Sequence, residues 1–441
     1  MYNLKLLEDL VGRFSRETGS YLKIYVMEKS FDKLTFDGES RKDIVSGNII
    51  DITVNCIKDG KVGRSSGSTN SELSIEGLIE DAYKQMELSD VTVQSNYKEG
   101  NQDFTEGQKG NKEINDITLE ELSNTIEYPK QYQFIESVIE LEKGKNTIYI
   151  VNSSNGKGFL ESEYANALLK TTIKHDGLYS SAVKTGSASK IKKLDLNKIL
   201  DSTAETAKIL ITNPMKIDYF QGDILISPYY AVKIFKSLLI SLSASNIING
   251  SSFFSKIPIG DKIASEKITL TEDPFVEESE FSRKFDDQLI MTTKKDIIKN
   301  GILITYLHDI ETAAKFNVKP TGNYFRKSVY LDGSVYRGIF VTNARVLPGK
   351  SSFGDILSNI NDGIYVLDSY GPSPYNGKFN GNLRCARIKN GRIENSVSNA
   401  LLMCDMGTLI NNIAELSSNS ESYEGLTVPY LVAKNIQINS L

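Results

Sequence analysis

The sequence has no tryptophan, two histidines and three cysteines in 441 residues, so it is poor in side chains that hold metals or carry redox chemistry. A zinc hydrolase needs at least three protein ligands, normally with two of them a helical turn apart so that both face the ion. His175 and His308 are far apart and each stands beside a single Asp. They read as an exposed turn histidine and a strand-end histidine, with a metal pair assembled in space as the sharper alternative. Cys56, Cys385 and Cys404 form no Cys-x-x-Cys, which excludes a zinc knuckle and a disulfide framework and fits a reducing compartment. They read as buried small apolar residues.

Other absences narrow the function further. No Gly-x-Ser-x-Gly elbow occurs, and no glycine-rich phosphate loop follows a strand, so nucleophilic-serine and nucleotide chemistry are not expected. With 51 basic against 56 acidic residues the formal charge is −5. That balance lacks the Lys and Arg surplus by which proteins neutralise phosphates, so no direct nucleic-acid partner is expected. No apolar run reaches the ~18 residues that span a bilayer, and acidic residues break up the N-terminus before a signal-peptide core can form. A cytoplasmic protein without a membrane partner is expected.

What is present suits a globular chain: 40% hydrophobic and 24% charged residues, enough for two or three domains. Leu4, Leu7, Val11 and Phe14 recur at helical spacing. Residues 21–28 and 49–57 read as strands, the second returning through Asp59-Gly60 into 62–66 as a tight hairpin. Ile75, Leu78, Ile79, Ala82, Tyr83 and Met86 mark a helix over that sheet. Residues 95–117 are almost devoid of apolar side chains and read as a mobile loop. Beyond them, strands at 148–151 and 167–173 and a helix at 196–210 suggest a second block like the first. From residue 216 the texture changes: one strand, one buried helix over 229–242, then short apolar runs broken by Asn-Gly and Asp-Gly at 300–301, 332–333, 362–363 and 390–391. The fold class is therefore α+β. Its N-terminal α+β domain covers 1–215 (first block 1–94, loop 95–117, second block 118–215), and 216–441 form an antiparallel β-rich domain, barrel-like or sandwich.

Carboxylates come in pairs at Glu272-Asp273, Glu277-Glu278 and Asp286-Asp287. Such pairs can do acid/base work, but in a turn-rich domain they read first as solvated. In Asn323-Tyr324-Phe325-Arg326 an arginine fork could grip a peptide carboxylate or backbone, or simply form a surface salt bridge.

Several segments, in order, resemble the TldD/PmbA family: Asp59-Gly60-Lys61-Val62-Gly63, Phe253-Phe254-Ser255, Gly260-Asp261-Lys262-Ile263-Ala264-Ser265, Phe285-Asp286-Asp287-Gln288, Thr321-Gly322-Asn323 with Arg326, Asp362-Gly363-Ile364-Tyr365-Val366 and Asn380-Gly381-Asn382. The resemblance implies paired subunits enclosing a cavity in which peptides are cut. TldD-type members are zinc metallopeptidases with His-Glu-x-x-x-His on the helix after the first C-terminal-domain strand and a cysteine ligand near the C-terminus. Here that helix reads Ile234-Phe235-Lys236-Ser237-Leu238-Leu239-Ile240-Ser241, and Ser417 to Tyr423 stand where the cysteine would fall. The chain thus resembles the TldE/PmbA branch, for which no catalytic or metal residue and no cofactor of its own are expected, zinc belonging to a TldD-like partner. Leu289 also departs from the family, which often has Glu-Gly after the Asp-Asp. The implied partners are a TldD-like protease subunit or a second copy, and an unfolded polypeptide substrate; Thr321, Gly322, Asn323, Arg326 and Tyr365 are candidate substrate contacts. The alternative is a homodimeric peptide-binding or scaffold protein without a protease partner. The family's old label, modulator of DNA gyrase, does not transfer by residue.

Overall fold

The structure, a computed structural model, describes residues 3–37, 40–68, 72–90, 99–105, 117–277, 279–328, 335–370 and 377–440. Helix α1 (Leu4–Thr18) is capped by Asn3, whose side chain accepts from the Leu6 N–H, and ends at Gly19 with φ 64°. Leu7 and Val11 are buried as the spacing predicts, with Leu10 beside them. Strands β1 (Tyr21–Asp37), β2 (Ser40–Lys58) and β3 (Lys61–Gly67) follow. Asp59 and Gly60 take φ 51° and 80°, the two positive values that a tight hairpin turn requires. Helix α2 (Glu72–Leu88) then buries Ile75, Ile79, Ala82 and Met86.

Next come β4 (Asp103–Phe104), α3 (Leu119–Ser123), β5 (Gln133–Asn152), β6 (Lys157–His175), β7 (Leu178–Ala188) and α4 (Leu196–Leu210). All seven strands form one sheet, ordered β3-β2-β1-β5-β6-β4, with β7 also on β6. Because β1 and β5 pair continuously from Lys23↔Asn152 to Asp37↔Val138, the two expected blocks share a single sheet. The loop expectation for 95–117 is also corrected in part. Glu99 is buried with its carboxylate 2.6 Å from the Lys23 ammonium, and Phe104 stacks on Phe285 at 4.7 Å. Residues 95–98 and 106–116 lie outside the described residues.

The sheet has two different faces. One carries the helices: α1 and α2 cover Leu22, Ile24, Val26, Ile52 and Val54, while α3 and α4 cover Leu34, Ile139, Leu141, Ala167 and Leu169. The other turns Tyr25, Ile148 and Ile150 toward Phe285 and Leu289 of the C-terminal part.

That part comprises β8 (Tyr219–Ile226), α5 (Pro228–Ser241), α6 (Ala244–Ile248), β9 (Leu270–Glu272), β10 (Lys295–Lys299), β11 (Ile302–Leu303), α7 (Ile310–Phe316), β12 (Tyr324–Ser328) and β13 (Val335–Ile339). It continues with β14 (Ala344–Val346), α8 (Phe353–Ser358), β15 (Asp362–Tyr370), β16 (Lys378–Lys389), β17 (Arg392–Val397), β18 (Ala400–Asp405), α9 (Met406–Asn411), β19 (Ile413–Tyr423) and β20 (Leu426–Ser440). The path β8-β15-β16-β18-β20 closes into a barrel because β20 also pairs with β8. Alternation then separates two cores. Ile224, Ile226, Ile364, Val366, Cys385 and Ile438 pack with Ile234, Phe235 and Leu238 of α5, and Leu225, Tyr365, Leu367 and Val432 face Ile356 of α8.

The expected α+β class with a β-rich, barrel-like C-terminal domain is what the chain forms. Two details differ. The sheet is not wholly antiparallel, since β8 runs parallel to β15 and β14 to β20. Asp362-Gly363, read as a turn, opens β15 instead: a Cβ on Gly363 would stand 2.9 Å from the Asp223 carbonyl, so the glycine permits close strand approach. Asn300-Gly301 and Asn390-Gly391 do turn, all four with positive φ, and Asp332-Gly333 lies outside the described residues.

Candidate functional site

The five residues proposed from sequence all have partners within the chain. Thr321 Oγ1 accepts from the His308 N–H at 2.8 Å. Gly322, at φ 70°, would bring a Cβ to 2.6 Å from the Met291 carbonyl. Asn323 is fully buried and donates to both oxygens of Glu272 at 2.9 and 3.0 Å. Lys295 and the Thr342 N–H complete that node, at 2.7 and 2.8 Å from the same carboxylate. Arg326 is no surface salt bridge: its side chain is 6% exposed, 2.9 Å from Asp51 and 3.5 Å from the centroid of the Tyr25 ring. Tyr365 lies elsewhere, 5% exposed on the outer barrel wall, and burial there pushes its phenol up. The four residues at 321–326 thus form one buried frame, and Tyr365 is not part of it.

The sequence predicts solvated acidic pairs, yet Glu272, Asp286 and Asp287 are buried. Each is held by local donors. Asp287 accepts from Arg283 at 2.7 Å and from the Arg326 N–H at 2.8 Å. Burial pushes Asp286 up to about 7, against the pull of backbone N–H groups of Ile290, Tyr324 and Gln288. A fully enclosed carboxylate cannot meet substrate, so this shift belongs to structure and not to a cleft. Glu278 lies outside the described residues. His175, expected in a turn, is the exposed last residue of β6 just before the Asp176-Gly177 turn, whereas His308 is buried just before the Asp309 cap of α7 and meets Phe316 edge-on at 5.2 Å.

The two segments on which the resemblance places zinc ligands do come together. Ser227 caps α5 and Pro228 starts it, so Tyr229, Lys233, Lys236 and Ile240 form its open stripe while Ile234, Phe235 and Leu238 enter the barrel core. Strand β19 lies against that stripe. Tyr229 and Tyr423 meet edge to face at 5.0 Å, Lys236 pairs with Glu424 just beyond β19, and Lys233 reaches Asp368 of β15 at 2.6 Å. Glu421 accepts from the hydroxyls of Tyr423 and Tyr430.

From β7, Lys184 enters this cluster with 6% exposure, its ammonium 4.6 Å from the Tyr229 ring centroid and 5.6 Å from that of Tyr423. Burial lowers its pKa, and Glu421 and Asp368 partly offset that. Burial also keeps the Tyr229 and Tyr423 phenols protonated. These ion-pair and cation–aromatic contacts tie β7, α5 and β19 together, and the Lys236–Glu424 pair at their edge is the part that solvent reaches. Sequence reading missed these residues, although polar Tyr229, Lys233 and Lys236 at i, i+4, i+7 on an otherwise apolar helix were a usable signal.

A zinc ion does not fit this place. The side chains at the meeting of α5 and β19 are ammonium groups, phenols and carboxylates already paired with them, and neither His nor Cys stands among them. Among the described residues no group of three or more His, Cys, Asp or Glu is placed to hold a metal. Cys404, on β18, packs against the barrel core.

The family model of the PmbA/TldA metallopeptidase C-terminal domain matches residues 221–440. The chain is 26% identical over 396 residues to a metalloprotease of Methanocaldococcus jannaschii, covering 86% of this chain and 83% of that protein. It is 22% identical over 334 residues to a metalloprotease PmbA homologue of Buchnera aphidicola, covering 74% and 70%. TldE from Thermococcus kodakarensis shares the fold at a TM-score of 0.83 with 18% identity, covering 99% of this chain and 100% of that one. A Thermotoga maritima protein named for modulating a DNA gyrase does so at 0.82, also with 18% identity, covering 98% and 99%. By its matched C-terminal domain and by relatives spanning most of its length, the chain belongs to the TldD/PmbA family.

Proposed function

We propose that the chain is a TldE/PmbA-like subunit that lacks a metal centre of its own and lines a peptide chamber shared with a TldD-type zinc protease. One observation carries this reading: α5 and β19 meet as a ligand-bearing pair would, but they offer Lys, Tyr and Glu in place of His and Cys. The chain then contributes recognition, and hydrolysis belongs to the partner. Thr321, Gly322, Asn323 and Arg326 shape the chamber wall from behind through the groups they hold, and Tyr365 packs on the opposite, outer side of the barrel. An extended substrate gains affinity mainly through backbone hydrogen bonds, with the solvent-reached Lys236 and Glu424 of the α5–β19 contact meeting its polar side chains.

The test is direct. Purified alone, the chain should carry no stoichiometric zinc by elemental analysis and cleave no unfolded peptide; adding a subunit with His-Glu-x-x-x-His should restore cleavage. Zinc with activity in the isolated chain would overturn the reading, and a stable homodimer that captures no such subunit would favour the scaffold alternative.

A further inference from the structure

Alternate side chains of β2 serve two faces of the N-terminal sheet. Ile52, Val54 and Cys56 pack under the helices, so Asp51, Thr53 and Asn55 stand on the face turned to the C-terminal part. Each of the three meets an arginine. Asp51 lies 2.9 Å from Arg326 of β12, Thr53 Oγ1 accepts from Arg337 of β13 at 2.6 Å, and Asn55 Oδ1 accepts from Arg64 of β3 at 2.8 Å. Three guanidiniums from three strands thus follow one another along β2.

Their charges are not balanced within the chain. Arg326 and Arg337 stand directly opposite each other in the β12–β13 ladder, where like charges repel. Asp51 offsets Arg326, but Thr53 and Asn55 are neutral acceptors and leave Arg337 and Arg64 without an ion pair among the described residues. Asp287 is already held by Arg283 and by the Arg326 N–H. Burial and the charges of Arg326 and Arg64 accordingly lower the pKa of Arg337, against the pull of Asp51. Tyr324 shares the Arg326 face of β12, and burial keeps its phenol protonated although the charge of Arg64 pulls the other way. Arg64 is exposed and Arg337 half-buried, so an anion can reach both. We propose that Arg337, Arg64 and Tyr324 form a carboxylate subsite, which takes the C-terminal carboxylate or an acidic side chain of an extended peptide. A guanidinium fork matches the two oxygens of a carboxylate. Arg326, read from the sequence as that fork, is spent on Asp51, and the role falls to its neighbours. The net charge of −5 repels a polyanion such as nucleic acid, whereas a single carboxylate needs only the local excess. The subsite deepens the accessory-subunit reading, and rests on it for the identity of the ligand as a peptide.

Fluorescence anisotropy on the purified full chain tests it with three peptides carrying a neutral dye at the N-terminus: an uncharged extended sequence ending in a free carboxylate, its C-terminal amide, and that amide with one internal Glu. The first or the third should bind at least about tenfold more tightly than the plain amide, the scale of one charge-assisted hydrogen bond. Which of them does so names the source of the carboxylate. Arg337→Gln and Arg64→Gln should each abolish the preference with an unchanged thermal unfolding midpoint, and Arg337→Lys should keep part of it. Lys61→Gln removes an exposed charge at the start of β3 and should leave the preference intact. Three peptides that bind alike or not at all, a preference that survives both glutamines, or an equal loss in Lys61→Gln would each overturn the proposal. So would displacement by a short oligonucleotide at a lower concentration than by the carboxylate peptides. Because binding is read on the chain alone, this subsite can fail while the reconstituted heteromer still cleaves, and absent cleavage leaves the binding result standing.

Discussion

Leu289 has φ 57°, a left-handed conformation that costs a residue with a Cβ about 1 kcal/mol, and it stands where the family often has glycine. The side chain offsets that cost by burial against Tyr25, Ile148, Ile150 and Phe285. Glycines elsewhere make the room: a Cβ on Gly156 or Gly158 would come within 2.9 or 2.8 Å of the Leu289 methyls. Lys184 poses the opposite case, a buried cation set against two tyrosine rings. Lys184→Met keeps the stem and volume, so thermal unfolding should find it within about 1 kcal/mol of the parent, since replacing a buried charge by an apolar group is often neutral or stabilising. A larger loss would mean that the ammonium anchors β7 to α5.

The strands of the N-terminal sheet are far longer than their sequence signals. Only the ends of β1 and β5 read as strand, because their middles, Ser30 to Lys33 and Lys143 to Asn146, hold a single apolar side chain, Phe31, and give no apolar alternation. Cross-strand pairing extends them regardless. A row of Gly47, Phe31, Gly144 and Tyr164 crosses β2, β1, β5 and β6, with Phe31 covering Gly47 and Tyr164 covering Gly144. Beside it a cavity of about 380 Å³ is lined by Asp32, Asn48, Lys143 and Lys145, among others. Gly144→Ala would drive a Cβ to 2.4 Å from the Ser30 carbonyl and 2.5 Å from the Tyr164 hydroxyl, so it should cost about 1–3 kcal/mol in denaturant unfolding. Gly77→Ala, on α2 with nothing within 4 Å of the new methyl, should be stabilising by up to about 1 kcal/mol. Equal effects at the two sites would show that the glycine row is not a packing constraint.

At the scale of the whole molecule, polar contacts join the N-terminal sheet to the C-terminal part. Arg326 meets Asp51, Arg337 donates to Thr53 Oγ1 at 2.6 Å, Lys23 donates to the Asp287 carbonyl, and Arg384 to that of Ser181. Asp286 lies at this junction, and its raised pKa has a signed consequence. Near pH 4 and below, folded and unfolded chains both hold its proton. Between about 4 and 7 the unfolded chain releases the proton first, so stability falls as pH rises through that window. Denaturant midpoints of the parent should therefore drop from pH 5 to 7.5 relative to Asp286→Asn. The variant lacks this slope, although it loses about 1–3 kcal/mol throughout by turning a donor toward the Tyr324 N–H. Parallel curves would mean that the three backbone donors keep Asp286 ionised across the range.

The sequence alone determined what local physics controls. Helices appear at their apolar periods, hairpins where Asp-Gly or Asn-Gly supplies two positive φ values, and α5 stands free of metal ligands because residue identity needs no coordinates. Whether an acidic pair is solvated or enclosed, as at Asp286-Asp287, could not be read that way, since burial is set by segments distant in the chain. Tertiary structure likewise decided that β1 finds β5, that β20 closes the barrel on β8, and that α5, β19 and β7 converge on Lys184. The physical reason is that strand pairing and burial are agreements between residues that carry no mark of each other until the chain has folded.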